Sequence, residues 1–172
     1  MRAKNYRSVK GQAYTRKEFA KGFPQPKITK FTMGNTKAEF EYEVKLISLE
    51  SAQIRHNALE AARVATNRLL SDRLPDNYHL QIYPYPHTIL RENKMIFGAH
   101  ADRLQDGMRN SFGKPIGTAA RVKPNQALIS IHVNSDGIEF AKEALKRGRA
   151  KFPMPCRILI ERVVVEEVKT VD

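Results

Sequence analysis

The chain has 172 residues, of which 41% are hydrophobic and 28% are charged, and this suits one domain with an extension. Its 30 lysines and arginines against 18 acids give a net charge of +12; because like charges repel in a compact state, this excess indicates a polyanionic partner, with nucleic acid favoured over an anionic membrane. The single cysteine, Cys156, excludes an intramolecular disulfide and fits a reducing cytosol, and no apolar run approaches the ~20 residues of a membrane span.

Residues 1–30 form a basic segment with nine lysines or arginines, one acid and several interleaved aromatic residues. It has neither a persistent period nor the apolar stretch of a secretory signal peptide. We expect an extended basic N-terminal arm that is ordered by what it binds, although a disordered basic tail is the alternative. A single RNA-binding domain is expected to follow over residues 31–172. The cations of the arm that we assign to RNA binding are Lys4, Arg7, Lys10, Arg16 and Lys17.

Residues 38–47 alternate between apolar and charged side chains, which predicts a half-buried strand. Its polar side is largely acidic, so we expect this face to point away from RNA.

Residues 51–74 predict the longest helix, about 36 Å in length, with Ser48 or Ser51 as its N-cap and Pro75 as its end. Small and apolar residues recur there at steps of three and four and predict the buried stripe, namely Ile54, Ala58, Ala61, Ala65 and Leu69, widened by Leu59, Ala62 and Leu70. Four arginines lie largely off this stripe, namely Arg55, Arg63, Arg68 and Arg73. They could form a solvated helix face or contact RNA, and the sequence favours neither interpretation.

Residues 78–85 predict a strand whose prolines, Pro84 and Pro86, indicate an edge or a strand end, and residues 88–90 predict a short continuation. The stretch 91–122 contains four glycines and Pro115, so we expect it to be irregular, with a long mobile loop over residues 98–114. Cations mark the ends of this stretch (Arg91, Lys94, Lys114 and Arg121) and its tip (Arg103 and Arg109).

Residues 127–133 predict a strand, residues 137–149 a second helix capped by Ser135 or Asp136, and residues 157–165 a final strand. Cations at the end of a helix are stabilised by its dipole. Between Lys146 and Arg157 there are five lysines or arginines and no acid, which is more positive charge than the helix dipole accounts for. We therefore expect a phosphate-binding corner that includes Lys146, Arg149 and Lys151. The order of elements predicts an α+β fold, with two helices packed on a mixed or antiparallel sheet.

Three patterns could indicate an enzyme or a metal site, and we reject each of them. The run GMRNSFGK at residues 107–114 departs from a phosphate-binding loop in its spacing, and Pro115 stands where a serine or threonine would hold magnesium. His100 and Asp102 lack a nucleophile. The five histidines and Cys156 show no metal-ligand spacing. We therefore expect no catalytic residue, no metal and no cofactor.

An RNA-modifying or nucleotide-dependent enzyme remains the alternative function. A regulator that binds duplex nucleic acid would need a recognition helix, which neither predicted helix provides.

Several runs of residues resemble the archaeal and eukaryotic large-subunit ribosomal protein family called L-ten-e, whose bacterial relative is L-sixteen. They follow the family's order over nearly the whole chain, and the central runs are long and specific. They are ALEAAR (58–63), LRENKM (90–95), ADRLQDGMR (101–109), FGKPIGTAARV (112–122) and KFP (151–153).

The resemblance implies an α/β-hammerhead fold and a structural constituent of the large subunit, in the cytoplasm, that is not an enzyme. It implies binding to large-subunit rRNA between the central protuberance and the stalk base. The loop at residues 98–113 would point toward the peptidyl transferase centre and support tRNA placement. The expected partners are therefore rRNA, tRNA near the loop tip and neighbouring ribosomal proteins, with no membrane and no homo-oligomer. The resemblance carries RNA contacts over to Arg91, Lys94, Arg103, Arg109, Lys114 and Arg121.

Overall fold

The computed structural model describes residues 2–96, 98 and 107–163. Its helices are α1, His56–Arg73, and α2, Ile138–Arg149. Short 3-10 turns cover Ala3–Asn5, Lys17–Phe19, Gly107–Asn110 and Ser135–Gly137. Its strands are β1, Thr32–Gly34; β2, Tyr42–Ser48; β3, Ala52–Arg55; β4, His79–Ile82; β5, Thr88–Glu92; β6, Lys114–Val122; β7, Ala127–Val133; and β8, Cys156–Arg162.

Five strands form one antiparallel sheet in the order β1-β4-β7-β2-β8. Val44 of β2 stands opposite Ile131 of β7 and Ile160 of β8, as the alternation in residues 38–47 predicts. The helices pack together over this sheet, and their buried faces close the core with side chains that are at most 1% exposed: Leu59, Ala62, Leu70, Ala141, Ala144 and Leu145. The predicted α+β architecture, with two helices on antiparallel sheets, is confirmed.

A second, three-stranded antiparallel sheet has the order β3-β6-β5. It shows that the predicted helix over residues 51–74 is wrong at its start, because Ala52–Arg55 is a strand and Ile54 pairs with Ala120. Helix α1 then begins after Arg55 without a side-chain cap, so neither predicted serine caps it. At 18 residues it is about 27 Å long.

The stretch 91–122 is less irregular than we expected, since β5 and β6 extend into both of its ends. Pro115 is tolerated because β6 pairs there with β5 alone, and its other edge meets β3 only from Ala119 onward. Gly117 does not break the strand either. A methyl group there would lie 2.9 Å from the His56 ring nitrogen Nε2, so this close approach favours glycine.

The remaining predicted elements match in type and shift slightly at their ends. Residues Ala127–Val133 form the predicted strand, and α2 ends at Arg149 as predicted. Helix α2 has no side-chain cap hydrogen bond, so the predicted cap at Ser135 or Asp136 is wrong. Strand β4 pairs on both sides, so the prolines after it mark a strand end. Within the described ranges, no helix is both long and apolar enough to span a bilayer.

Candidate nucleic-acid interface

The N-terminal arm lies along the three-stranded sheet. The backbone N–H of Gln53 donates to the carbonyl of Arg7 at 2.9 Å, and the Gln53 side-chain amide donates to the carbonyl of Tyr6 at 2.9 Å. Farther along, the N–H of Ile89 donates to the carbonyl of Tyr14 at 2.7 Å. Ala20 and Ile28 are each 2% exposed, which anchors the end of the arm in the domain. The arm is therefore docked on the domain in the structure, and the expectation that it is ordered by what it binds stays a prediction.

Arg121 of β6 holds the arm through its guanidinium group. The group donates to the carbonyls of Gly11 at 2.8 Å, Gln12 at 3.2 Å and Lys10 at 3.4 Å, and it reaches the Gln53 side-chain oxygen at 3.4 Å. Because a guanidinium has five N–H donors and no acceptor, these contacts use most of its capacity. Arg121 thus has an intramolecular role, and the RNA contact predicted for it stays a prediction.

Arg91 at the end of β5 joins the arm to the start of β6. Its guanidinium donates to the carbonyl of Gly113 at 2.7 Å and to the Tyr14 hydroxyl at 3.3 Å. The guanidinium also lies over the ring of Phe112, with its carbon 3.3 Å from the ring centroid. Planar stacking and directed donors are typical of arginine and unlike lysine. We infer that Arg91 positions the loop base, which we define as residues 91–94 and 112–114. An additional contact of Arg91 with RNA stays a prediction.

The predicted cations of the arm are exposed, and several contact other side chains. Arg7 forms a surface ion pair with Glu50 at 3.2 Å. Arg16 lies over the ring of Phe19 and Lys17 over that of Phe23, each 5.8 Å from the centroid. Such exposed contacts contribute little stability, so they leave these charges accessible to a polyanion. The side chains of Lys4 and Lys10 are also exposed.

The end of α2 forms a basic corner. Lys146 and Arg149 line a depression that Met154 and Pro155 complete. Neither cation forms a hydrogen bond or ion pair within the described ranges, whereas Arg147 in the same turn is paired with Glu143 at 2.8 Å. The sequence-based prediction of a basic corner is consistent with this geometry.

Cys156 lies beneath this corner and is 2% exposed. Burial raises the pKa of its thiol to about 11, in spite of the opposing effect of Arg149. A thiol with such a pKa stays protonated near neutral pH, which makes it a packing residue and a poor nucleophile.

Three exposed cations lie in the described part of the loop and at its ends: Lys94, Lys114 and Arg109, which the sequence placed at the tip and the structure places in the turn Gly107–Asn110. No hydrogen bond or ion pair engages their side chains in the described part of the chain. Arg103 lies outside the described residues, as do residues 99–106 of the predicted mobile loop over residues 98–114, so the mobility of the loop stays a prediction.

A fourth cationic surface was not predicted as such. Lys151 does not join the basic corner but lies across a depression on α1, where Lys27 of the arm and Arg68 also line the wall. The local sequence pattern gives no signal for this grouping, because the three residues are far apart in the chain.

On the outer face of the five-stranded sheet, Glu43, Lys45 and Glu161 form a charge cluster that is matched internally. Lys45 contacts Glu161 at 2.6 Å and Glu43 at 3.0 Å. The hydrogen bonds to Glu161 and Glu43 raise the pKa of Lys45 and keep it cationic. The expectation that this face points away from RNA stays a prediction.

The features that could have indicated an enzyme gain no support from the geometry. Gly107–Asn110 is one 3-10 turn and Lys114 begins a strand, so the run GMRNSFGK does not lead into the helix N-terminus that cradles a phosphate. His100 and Asp102 lie outside the described residues. Among the residues that are described, no group of three potential metal ligands comes together.

Comparison with known proteins gives a consistent result. The family model of ribosomal protein L16p/L10e matches residues 9–159. The large ribosomal subunit protein uL16 of Saccharolobus solfataricus is 54% identical over 170 residues, covering 96% of each chain. The protein of the same name from Staphylothermus marinus is 53% identical over 160 residues and 92% of each chain. That of Methanosphaerula palustris is 49% identical over 167 residues and 96% of each chain.

Proposed function

Because the chain belongs to the ribosomal protein L16p/L10e family, we propose that it binds large-subunit rRNA through the exposed cations of the arm, the loop base and the end of α2. It is a structural protein of the large ribosomal subunit, in the cytoplasm, where it associates with rRNA and other ribosomal proteins. The alternative of an RNA-modifying or nucleotide-dependent enzyme finds no support among its relatives.

The observation that carries the proposal is the division of the cations into two sets. Arg91 and Arg121 donate hydrogen bonds to backbone carbonyls of the chain itself, and Arg91 also stacks on an aromatic ring. Six other predicted cations are exposed and have no hydrogen bond or ion pair in the described part of the protein: Lys94, Arg109, Lys114, Lys146, Arg149 and Lys151. The first set shapes the surface, and the second set is free to neutralise phosphates.

Recognition of this kind depends on the shape and backbone of RNA more than on base sequence. Each neutralised phosphate releases counterions, so log affinity falls with log salt by roughly 0.7 to 0.9 per phosphate. The full chain should therefore bind its rRNA with a steep salt dependence.

The experiment is a salt titration of the full chain with large-subunit rRNA. Lys146→Ala combined with Arg149→Ala should reduce the salt slope by roughly 1.4 to 1.8, because two phosphate contacts are lost. Arg147→Ala is the matched control from the same turn, and it should change the slope less because Arg147 is already paired with Glu143. An unchanged slope in the double variant would contradict the role of this corner.

We further propose that the loop over residues 98–114 supports tRNA placement. The length and glycine content of the loop support this idea, together with its anchoring at Arg91. Deleting residues 101–109 should impair peptide synthesis while leaving incorporation into large subunits largely intact. Normal peptide synthesis by subunits that carry the deletion would reject the proposal.

A further inference from the structure

Helix α1 carries a groove of about 570 Å³ on its solvent side. The helix itself contributes most of the groove, through Asn57, Glu60, Ala61, Val64, Ala65 and Arg68. These residues are spaced three or four apart and therefore share one helix face, about 16 Å long from end to end.

The floor of the groove is apolar and made of small side chains. Ala61 is exposed, Ala65 is half-buried and Val64 is 47% exposed. The sequence pattern assigned both alanines to the buried stripe of the helix, but the core is closed by the neighbouring face that includes Leu59 and Ala62. A flat apolar strip is thus left uncovered within the described part of the protein.

The walls of the groove are positively charged. Lys27 comes from the arm, Arg68 from the last third of α1 and Lys151 from the turn after α2. All three are exposed, and their side chains have no hydrogen bond or ion pair among the described residues. The acid in the groove, Glu60, accepts two hydrogen bonds from Arg63 at 2.6 and 2.9 Å, so its charge is already matched.

The path of the arm fixes this arrangement. The backbone N–H of Lys27 donates to His56 Nδ1 at 2.9 Å, and this bond ties the wall residue to the first turn of α1. Ile28, the next residue, is 2% exposed and is part of the main core. The backbone of Lys27 is therefore held beside the first turn of α1 by the fold.

We propose that this groove holds an unpaired stretch of rRNA, with phosphates at Lys27, Arg68 and Lys151 and with a ribose or base on the apolar strip. The inference rests on the proposed rRNA-binding function and names a separate site for it. Three free cations around an apolar floor match the alternation of charged phosphates and flat sugar or base surfaces in a single strand. Asn57 can donate to or accept from the edge of a base at one end.

Crosslinking tests the location of the site. The full chain is bound to large-subunit rRNA that contains 4-thiouridine, irradiated and digested, and the crosslinked peptides are identified. We expect a crosslink between residues 57–68 and an unpaired nucleotide. Crosslinks confined to the arm and the end of α2 would overturn the groove while leaving rRNA binding intact, and the absence of any crosslink would contradict both proposals. In intact large subunits, coverage of the groove by a protein would also overturn it.

Affinity measurements on the full chain test the chemistry with a single-stranded oligoribonucleotide. Val64→Asp should weaken binding about fivefold at low salt, the effect of one unfavourable charge contact near water. Ser135→Asp is the control, because it adds the same charge at an exposed position that does not line the groove. Arg68→Ala combined with Lys151→Ala should lower the salt slope by roughly 1.4. Thermal unfolding monitors the fold of each variant. Equal weakening by both aspartates, or an unchanged slope, would reject the site.

Discussion

Gly148 of α2 lies directly against Thr66 of α1, so that a methyl group at Gly148 would fall 2.6 Å from the Thr66 hydroxyl oxygen. Thr66 is fully buried, and its hydroxyl reaches the carbonyl of Ala144 at 3.5 Å. The two helices can therefore approach closely only because position 148 has no side chain. This contact sets the packing of the layer that covers the five-stranded sheet.

Replacing Gly148 by alanine should destabilise the protein by about 1 to 3 kcal/mol, because the added methyl group overpacks the interface. An exposed helical glycine would show the opposite sign, since alanine is favoured there by roughly 0.5 to 1 kcal/mol. Thr66→Ala removes the obstructing hydroxyl, so combining the two substitutions should recover part of the loss. Denaturant unfolding of the four proteins in the double-mutant cycle measures this coupling. Additive effects would mean that the hydroxyl is not the obstacle.

Arg91→Lys should loosen the loop base while barely changing the global stability. Lysine keeps the charge but cannot stack on Phe112 while donating to Gly113 and Tyr14. We expect faster amide hydrogen exchange over residues 107–113 and an almost unchanged melting temperature. Lys94→Ala serves as the control, because Lys94 is exposed and lies in the same motif. Identical exchange in the Arg91 variant and the wild type would show that the stack does not hold the loop base.

Arg121→Ala should release the part of the arm around Gly11. The variant loses the donors to three successive carbonyls, those of Lys10, Gly11 and Gln12. Limited proteolysis should then cut the arm near these residues faster than in the wild type. Lys123→Ala, an exposed cation just after the same strand, is the matched control. Equal cleavage rates for the two variants would indicate that other contacts suffice to hold the arm.

The stability of the protein should fall as the pH decreases below about 6.5, the ordinary pKa of histidine. Burial, Arg55 and Lys27 lower the pKa of His56 in the folded protein. Its neutral Nδ1 also accepts the N–H of Lys27. Because the folded pKa is depressed, this stabilising contribution is complete above the unfolded pKa and is lost as pH falls toward the folded one. Burial also lowers the pKa of His79, which adds to the same trend.

Urea unfolding between pH 5 and pH 8 measures the effect. His56→Gln should flatten the profile in part, whereas His87→Gln, a substitution at an exposed ring, should keep the wild-type profile. NMR titration of the His56 ring provides a second test that does not depend on the stability of the variant. A His56 pKa at or above 6.5 would contradict the prediction.

Periodic patterns predicted much of the fold correctly. Residues 127–133 form the strand that their alternation indicates, and the alternation ending at Ile47 corresponds to β2. Helix α2 forms where the sequence predicts it and buries Ala141, Ala144 and Leu145. Such patterns succeed because the side-chain period of a helix or strand depends on the local backbone alone.

Patterns failed where distant pairing decides the conformation. Residues 52–55 continue the helical spacing of α1, yet they form β3 because they find a partner strand in β6. Pro115 and Gly117 suggested a loop, but both fit in β6, where β5 pairs on one side and the His56 ring packs closely. Neither neighbour can be identified from the residues beside these positions.

By itself, the sequence determined the excess of positive charge, the family motifs between residues 90 and 122, and the α+β class. The net charge is a sum over residues, a motif is a run of neighbouring residues, and the fold class follows from local periodicity. None of these properties depends on which distant residues meet when the chain folds. Only the tertiary structure decided which cations are free to meet RNA. Arg91 donates a hydrogen bond to Tyr14, 77 residues away in the sequence, and Arg121 donates one to Gly11, 110 residues away. These hydrogen bonds occupy donors that could otherwise contact RNA. Lys27, Arg68 and Lys151 meet around one groove for the same reason, because the availability of a charge depends on the neighbours that folding brings to it.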